Sequence, residues 1–283
     1  MSQSHTTANA QQIEYWNATV GDVWATYQAQ LDRQIEPLGL AAMSALAPAA
    51  GEKVLDVGCG CGQTTWMLAG RVGPSGAVLG VDISEPMLGV ARARNPGQGG
   101  KPPEFRKLDA QTGYLGAGRF DAAFSRFGVM FFEDPRVAFT NIRASLRAGG
   151  RMAFVCWRPL AENIWMRGPL EAALPLLPPL APPDPRAPGP FAFADAGRLR
   201  SFVEGAGFKS VSIETFDQLI GGNDVDQTLK LAFRLGPLGA AVREHPHLAE
   251  AAAAAVRQVL EQHLTPDGVM MPAAVWIVRA RNG

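Results

Sequence analysis

Between residues 53 and 157 short apolar runs alternate with segments of helical periodicity, and few folds accept that alternation. "KVLDVGC" (53–59), "AVLGVDI" (77–83), "EFRKLDA" (104–110), "FDAAFSRF" (120–127) and "RMAFVCW" (151–157) read as strands. "GQTTWMLAGRV" and "SEPMLGVARAR" fill the first two gaps as helices. "PRVAFTNIRASLRAGG" fills the last, starting on a proline and stopping on glycines as a helix should. Strand and helix alternating at this pitch means βαβ units, hence an α/β fold with a parallel sheet and helices on both faces. "KSVSIETFDQLI" (209–220) and "AAVWIVRAR" (273–281) supply two final strands.

The flanking segments differ in texture. Residues 1–10 are polar and read as a disordered tail without a signal peptide. Residues 11–48 are helical, with Trp16, Val20, Val23, Trp24, Tyr27 and Leu31 at spacings of three and four. The core occupies 49–158, and 159–194 forms a lid whose stretch 173–190 holds too many prolines for helix or central strand. A core helix with an aspartate N-cap and a glycine stop, then a strand, take up 195–223. A helical insertion follows at 224–265, and the last core strand lies within 266–283.

Composition narrows the function classes. With 283 residues and 47% hydrophobic content, the chain can bury one large core with an inserted lid. Lys+Arg and Asp+Glu both number 26, which argues against a nucleic-acid binder held by a broad basic face. The three cysteines, Cys59, Cys61 and Cys156, give no disulfide framework and fit a reducing compartment, so a cytoplasmic protein is expected. No apolar run reaches the roughly 18 residues of a membrane helix. No metal site is expected.

In "VLDVGCGCGQTT" (54–65) the first strand runs into Gly58, Gly60 and Gly62. Closely spaced glycines between strand and helix bring backbone N–H groups against a ligand, and side chains at Gly58 and Gly60 would block that approach. Asp82 ends the second strand, placed to accept hydrogen bonds from two ribose hydroxyls. A glycine loop plus an acidic residue does not by itself separate a nicotinamide site from an S-adenosylmethionine site.

"VLDVGCGCGQTT", "VLGVDISEPML", "LDAQ" and "LRAGGRMAFVCW" resemble the successive motifs of class I S-adenosylmethionine-dependent methyltransferases. More narrowly they are similar to the small-molecule branch that includes ubiquinone and menaquinone biosynthesis methyltransferases. The resemblance covers residues 50–158. It implies a Rossmann-like, seven-stranded sheet with an antiparallel last strand, the cofactor S-adenosylmethionine, and transfer of its methyl group to a small molecule. It also implies roles. Asp56, Gly58, Cys59, Gly60 and Gly62 would cradle the methionine moiety and ribose, with Gln63, Thr64 and Thr65 toward the carboxylate. Asp82 would bind the ribose, with Ile83 and Met87 against the adenine. Asp109, Ala110 and Gln111 would read the adenine edge. Ser125, Arg126 and Phe127 would close the fourth strand where donor meets acceptor. As residues alone, Met87 fits plain helix core and Arg126 a structural ion pair equally.

The segment before the first strand often folds over the donor site in such proteins, which implies a cover containing Tyr15, Trp16 and Trp24, with Asn17 or Gln28 as polar contacts. A helix stripe packed on the sheet accounts for the same aromatics. The acceptor pocket is expected from the N-terminal helix, residues 157–193 and the insertion. Trp157, Trp165, Met166, Phe191, Phe193 and Phe233 there suggest an apolar or aromatic small-molecule acceptor. His5 falls in the tail and His245, His247 and His263 in the insertion, so no catalytic base is nominated. A monomer or homodimer is expected.

Overall fold

The computed structural model describes residues 9–95, 97, 101–179, 184 and 186–283. The expected tail, with His5, lies outside them except for Asn9 and Ala10, as does part of the proline-rich stretch. The strands are β1 (Lys53–Val57), β2 (Ala77–Asp82), β3 (Glu104–Lys107), β4 (Phe120–Arg126), β5 (Leu146–Trp157), β6 (Lys209–Asn223), β7 (Leu264–Thr265) and β8 (Gly268–Arg281). Their order across the sheet is β3-β2-β1-β4-β5-β8-β6, with the two-residue β7 pairing only with β8. β1 to β5 pair in parallel, while β8 runs antiparallel to both β5 and β6. The chain leaves β1 toward β2 and β3 on one side and returns to β4 and β5 on the other. The gap between β1 and β4 is therefore the topological switch point, where ligands of open α/β sheets bind.

Three helices precede the sheet: α1 (Ala10–Asn17), α2 (Thr19–Thr26) and α3 (Gln28–Leu46). The crossovers are α4 (Gln63–Val72), α5 (Glu85–Ala93) and α6 (Pro135–Ser145), followed by α7 (Ile164–Ala173) and α8 (Ala196–Gly205). The expected helix starts appear where capping chemistry places them. Ser84, Asp134 and Asp195 accept from the N–H groups of Met87, Val137 and Arg198. The segment expected to be helical up to Gly150 instead joins β5 at Leu146, whose register shifts before Arg151. The insertion holds α9 (Val225–Ala232), α10 (Gly236–Glu244) and α11 (Ala249–Gln262). These pack with α7 and the start of β8 around Leu238, Val256, Leu260 and Met271, a cluster separate from the main core. The main core lies on the sheet, where Leu55, Phe124, Phe139 and Phe154 are wholly buried.

The glycines after β1 answer to the protein itself before any ligand. Gly58 has φ +66°, and a methyl group there would meet Gly128 Cα at 2.6 Å. This close approach lets the ends of β1 and β4 lie together. At Gly60, with φ +52°, the added methyl would meet the movable Met87 Cε at 2.7 Å. Both Gly58→Ala and Gly60→Ala should destabilise through the left-handed backbone. Gly58→Ala should cost more, at least about 2 kcal/mol, because backbone opposes backbone. Urea unfolding measures the order; equal losses would contradict it.

Candidate functional site

A cavity opens at the switch point, walled by the loop after β1, the ends of β2 and β4, and the N-terminal helices. Its floor is held by one carboxylate. Asp82 Oδ2 accepts from the Gly60 N–H at 2.8 Å and Oδ1 from the Ser84 N–H at 2.8 Å. Gly58 and Cys59 both donate to the Val81 carbonyl, and Gly62 donates to the Cys59 carbonyl. The loop therefore spends the N–H groups of Gly58, Cys59, Gly60 and Gly62 on the protein, where the sequence suggested that they face a ligand. What it offers the cavity is bare backbone beside Asp82. Burial pushes the Asp82 carboxyl above the usual range, against the lowering effect of its backbone donors.

Asp56 lies behind this floor, wholly buried, and is not in the cavity wall. Its Oδ2 accepts from the Thr64 and Thr65 hydroxyls at 2.9 and 2.7 Å, while Oδ1 has no partner. Burial raises its pKa to about 6, opposed by the two threonines and by Arg126. Asp56 and the two hydroxyls are thus committed to fixing the start of α4.

The N-terminal helices cover the cavity with Trp16, Trp24, Gln28, Leu31, Asp32 and Ile35. The cover is tied down by polar contacts. Ser84 Oγ donates to the Trp16 carbonyl at 2.7 Å, Asn17 Nδ2 donates to the Ile83 carbonyl, and Asn17 Oδ1 accepts from the Glu85 N–H. Asp32 accepts from Arg94 and, at 3.2 Å, from Arg126. Arg126 also donates to Gln63 Oε1, and Gln63 Nε2 donates to Glu36 at 2.6 Å. The stem of Arg126 crosses Gly39, where a methyl would meet its Cδ at 2.9 Å. Arg126 is in an ion pair, and it also lines the cavity.

Of the expected site residues, Gly58, Cys59, Gly60, Thr64, Asp82, Ile83, Met87, Asp109, Ala110, Arg126, Phe127 and Trp24 line one cavity. Gly62 does not, since a methyl there would meet Ala91 at 2.8 Å inside the α5 packing. Gln111 accepts from the Asp134 N–H and Ser125 Oγ from the Gly128 N–H, so both shape the wall from behind. Tyr15 is 42% exposed and outside the wall. On the acceptor side only Phe127 lines the cavity. Its φ of 63° is the left-handed region, and its ring stacks on Trp157 at 4.1 Å, with Trp165 behind Trp157. Phe193 is core, 1% exposed between Phe139 and Phe202. No described residue of 157–193 or of the insertion is in the wall of this cavity.

Sequence reasoning missed Asn9, Leu31, Asp32, Ile35, Leu108, Phe131 and Phe132. Asp32 and Ile35 follow Gln28 at helical spacing, a signal that was present; Asn9 carried none. Of the charged groups in the wall, Asp32 is paired with arginines. Asp82 takes only backbone donors, and Asp109 takes a backbone N–H and neutral side-chain donors. The end of the cavity that holds Asp82 and Asp109 therefore has no cationic partner for either carboxylate among the described residues. Burial pushes the Cys61 thiol up to about 12 and raises the Cys59 thiol well above its usual range, so both stay neutral.

Residues 54–150 match the family described as "Methyltransferase domain". The matched segment is about a third of the chain. Nocamycin O-methyltransferase of Saccharothrix syringae is 34% identical over 185 residues, 59% of this chain and 65% of that protein. Demethylmenaquinone methyltransferase of Lactococcus lactis is 33% identical over 113 residues, 40% of this chain and 45% of that protein. The chain thus spans about half to two thirds of these relatives. Phosphoethanolamine N-methyltransferase 2 of Haemonchus contortus, solved with phosphomonomethylethanolamine and S-adenosylhomocysteine, shares the fold. Its TM-score is 0.59 at 17% identity, covering 95% of this chain and 60% of that one. The matched segment therefore contributes the floor of the cavity, and α1 to α3 lie outside it. No described helix is long and apolar enough to cross a membrane.

The buried Asp56 gives the domain a pH signature. In the folded chain its carboxyl holds its proton up to about pH 6, more tightly than the usual 3.8 of an aspartate in water. Ionisation thus works against the fold as pH rises from 4 to 7. Asp56→Asn escapes that penalty, so its stability relative to the parent should improve over this range, by up to about 3 kcal/mol. Denaturant unfolding at pH 4, 5.5 and 7 measures it; a difference independent of pH would contradict the assignment.

Proposed function

We propose that this chain binds S-adenosylmethionine in the switch-point cavity and transfers its methyl group to a small apolar or aromatic acceptor. The observation that carries the reading is Asp82, held by Gly60 and Ser84 on the floor of a cavity within the segment that matches the methyltransferase family. Its oxygens retain acceptor capacity for a vicinal diol beyond the two backbone bonds. The negative character of Asp82 and Asp109 suits a cationic ligand.

Bound there, S-adenosylmethionine supplies a methyl group already activated on a sulfonium sulfur. The ribose falls to Asp82, the adenine to Ile83, Met87, Asp109 and Ala110, and the amino-acid end to the region of Thr64, Asp32 and Arg126. Trp16, Trp24, Phe127, Phe131 and Phe132 exclude water and shape an apolar slot for the acceptor. Trp16 meets the Phe131 ring edge-on at 4.9 Å. No histidine lines the cavity among the described residues, the two thiols there stay protonated, and Asp32 is held by two arginines. The residues present act by positioning, which can contribute about 7–11 kcal/mol when two reactants are fixed in attack geometry. An acceptor that needs to lose a proton must arrive ionised, which favours carboxylates and acidic phenols. Nocamycin O-methyltransferase, by its name, accords with an oxygen acceptor.

The test is formation of S-adenosylhomocysteine from S-adenosylmethionine over aromatic carboxylic acids, phenols, amines and thiols. Turnover is expected with aromatic acids or acidic phenols, and Trp16→Ala should raise the acceptor KM roughly ten-fold. Donor binding without turnover on any acceptor would contradict the transferase reading.

A further inference from the structure

Asn9 ties together three segments that are far apart in the chain. Its own N–H donates to Glu133 Oε2 at 2.7 Å, its Nδ2 donates to Asp109 Oδ1 at 3.0 Å, and its Oδ1 accepts from the Glu133 N–H at 2.9 Å. The residue is 3% exposed, lines the cavity, and holds φ 61°, a left-handed conformation that asparagine tolerates better than most side chains. A buried carboxamide with both its ends engaged is a strong orientational constraint on its partners.

The partner of interest is Asp109. Its Oδ1 also accepts from the Gln111 N–H at 2.8 Å, and its Oδ2 accepts from the Thr112 hydroxyl at 3.2 Å. An ionised carboxylate has about four acceptor positions, so these three donors leave about one free and fix the plane in which it lies. We infer that Asn9 is a positioning residue for the nucleobase: it orients Asp109 so that the remaining lone pair accepts from an exocyclic amino group. Because Asn9 starts the cover, closing the cover and reading the base become one event. The inference rests on the donor assignment above and extends it to a residue outside the matched segment.

The chemistry predicts a discrimination. Adenine presents an amine to the free lone pair, whereas hypoxanthine presents an oxygen at the same place, which leaves two acceptors facing each other. A site built to accept from an amine rejects such an analogue. Without Asn9 the carboxylate can turn, and the rejection weakens with the attraction.

The experiment titrates the full chain calorimetrically with S-adenosylhomocysteine and with S-inosylhomocysteine. The parent should prefer the adenine compound by at least about ten-fold. In Asn9→Ala, affinity for S-adenosylhomocysteine should fall roughly ten-fold while S-inosylhomocysteine changes little, so the preference collapses. Asn9→Ser, which keeps a polar side chain but is too short to reach Asp109 in the same way, should do the same and serves if the alanine variant fails to fold. Glu133→Ala loosens the cover without removing the Asn9–Asp109 bond, so it should weaken both ligands alike and leave the preference intact. Equal losses of both ligands in the Asn9 variants, with preference preserved, would reduce Asn9 to a clasp and overturn the inference alone. A parent that binds neither compound would overturn the donor reading with it.

Discussion

One carboxylate joins the pieces on which this site depends. Asp82 ends β2, yet its two oxygens hold the N–H groups of Gly60, in the loop after β1, and of Ser84, which caps α5. The same side chain thus fixes the distance between two strand ends, the shape of the glycine loop and the start of the next helix. Its desolvation is a cost, visible in the raised affinity for a proton, that the two backbone donors only partly offset. A buried charge kept at the mouth of a parallel sheet is easier to understand as a binding group than as a source of stability.

The cover closes this floor by a different kind of contact. Trp16, Trp24 and Ile35 present apolar surface to the cavity, but the attachments to the core are polar: Asn9 at one end, Trp16 and Asn17 in the middle, Asp32 with two arginines at the other. Directional contacts of this sort favour one seating of the helices over others that bury the same area. They also contribute less net stability than their number suggests, since each group gives up water to form them.

The core was legible because strand and helix periodicities are local, and because capping residues such as Ser84, Asp134 and Asp195 act within a few positions. Asp82 and the loop glycines could be named from the motif they resemble, though the reason for Gly58 could not. The contact that excludes a side chain there comes from Gly128, seventy positions away, which no local pattern records. The packing of the aromatic residues after β5 was hidden for the same reason. Phe193 and Trp165 have the composition of a pocket, but the sheet places Phe193 between Phe139 and Phe202 and Trp165 behind Trp157. Asn9 was hidden most completely, since a polar residue in a polar stretch announces nothing until Asp109 and Glu133 are brought to it by the fold.

The measurement that bears most directly on the central claim is a crystal structure of the chain with S-adenosylhomocysteine. The account predicts both ribose hydroxyls within hydrogen-bond distance of the Asp82 carboxylate, with the homocysteine chain passing the bare backbone of Gly58 to Gly60. A nucleoside bound elsewhere, or one in this cavity whose ribose leaves Asp82 untouched, would contradict it.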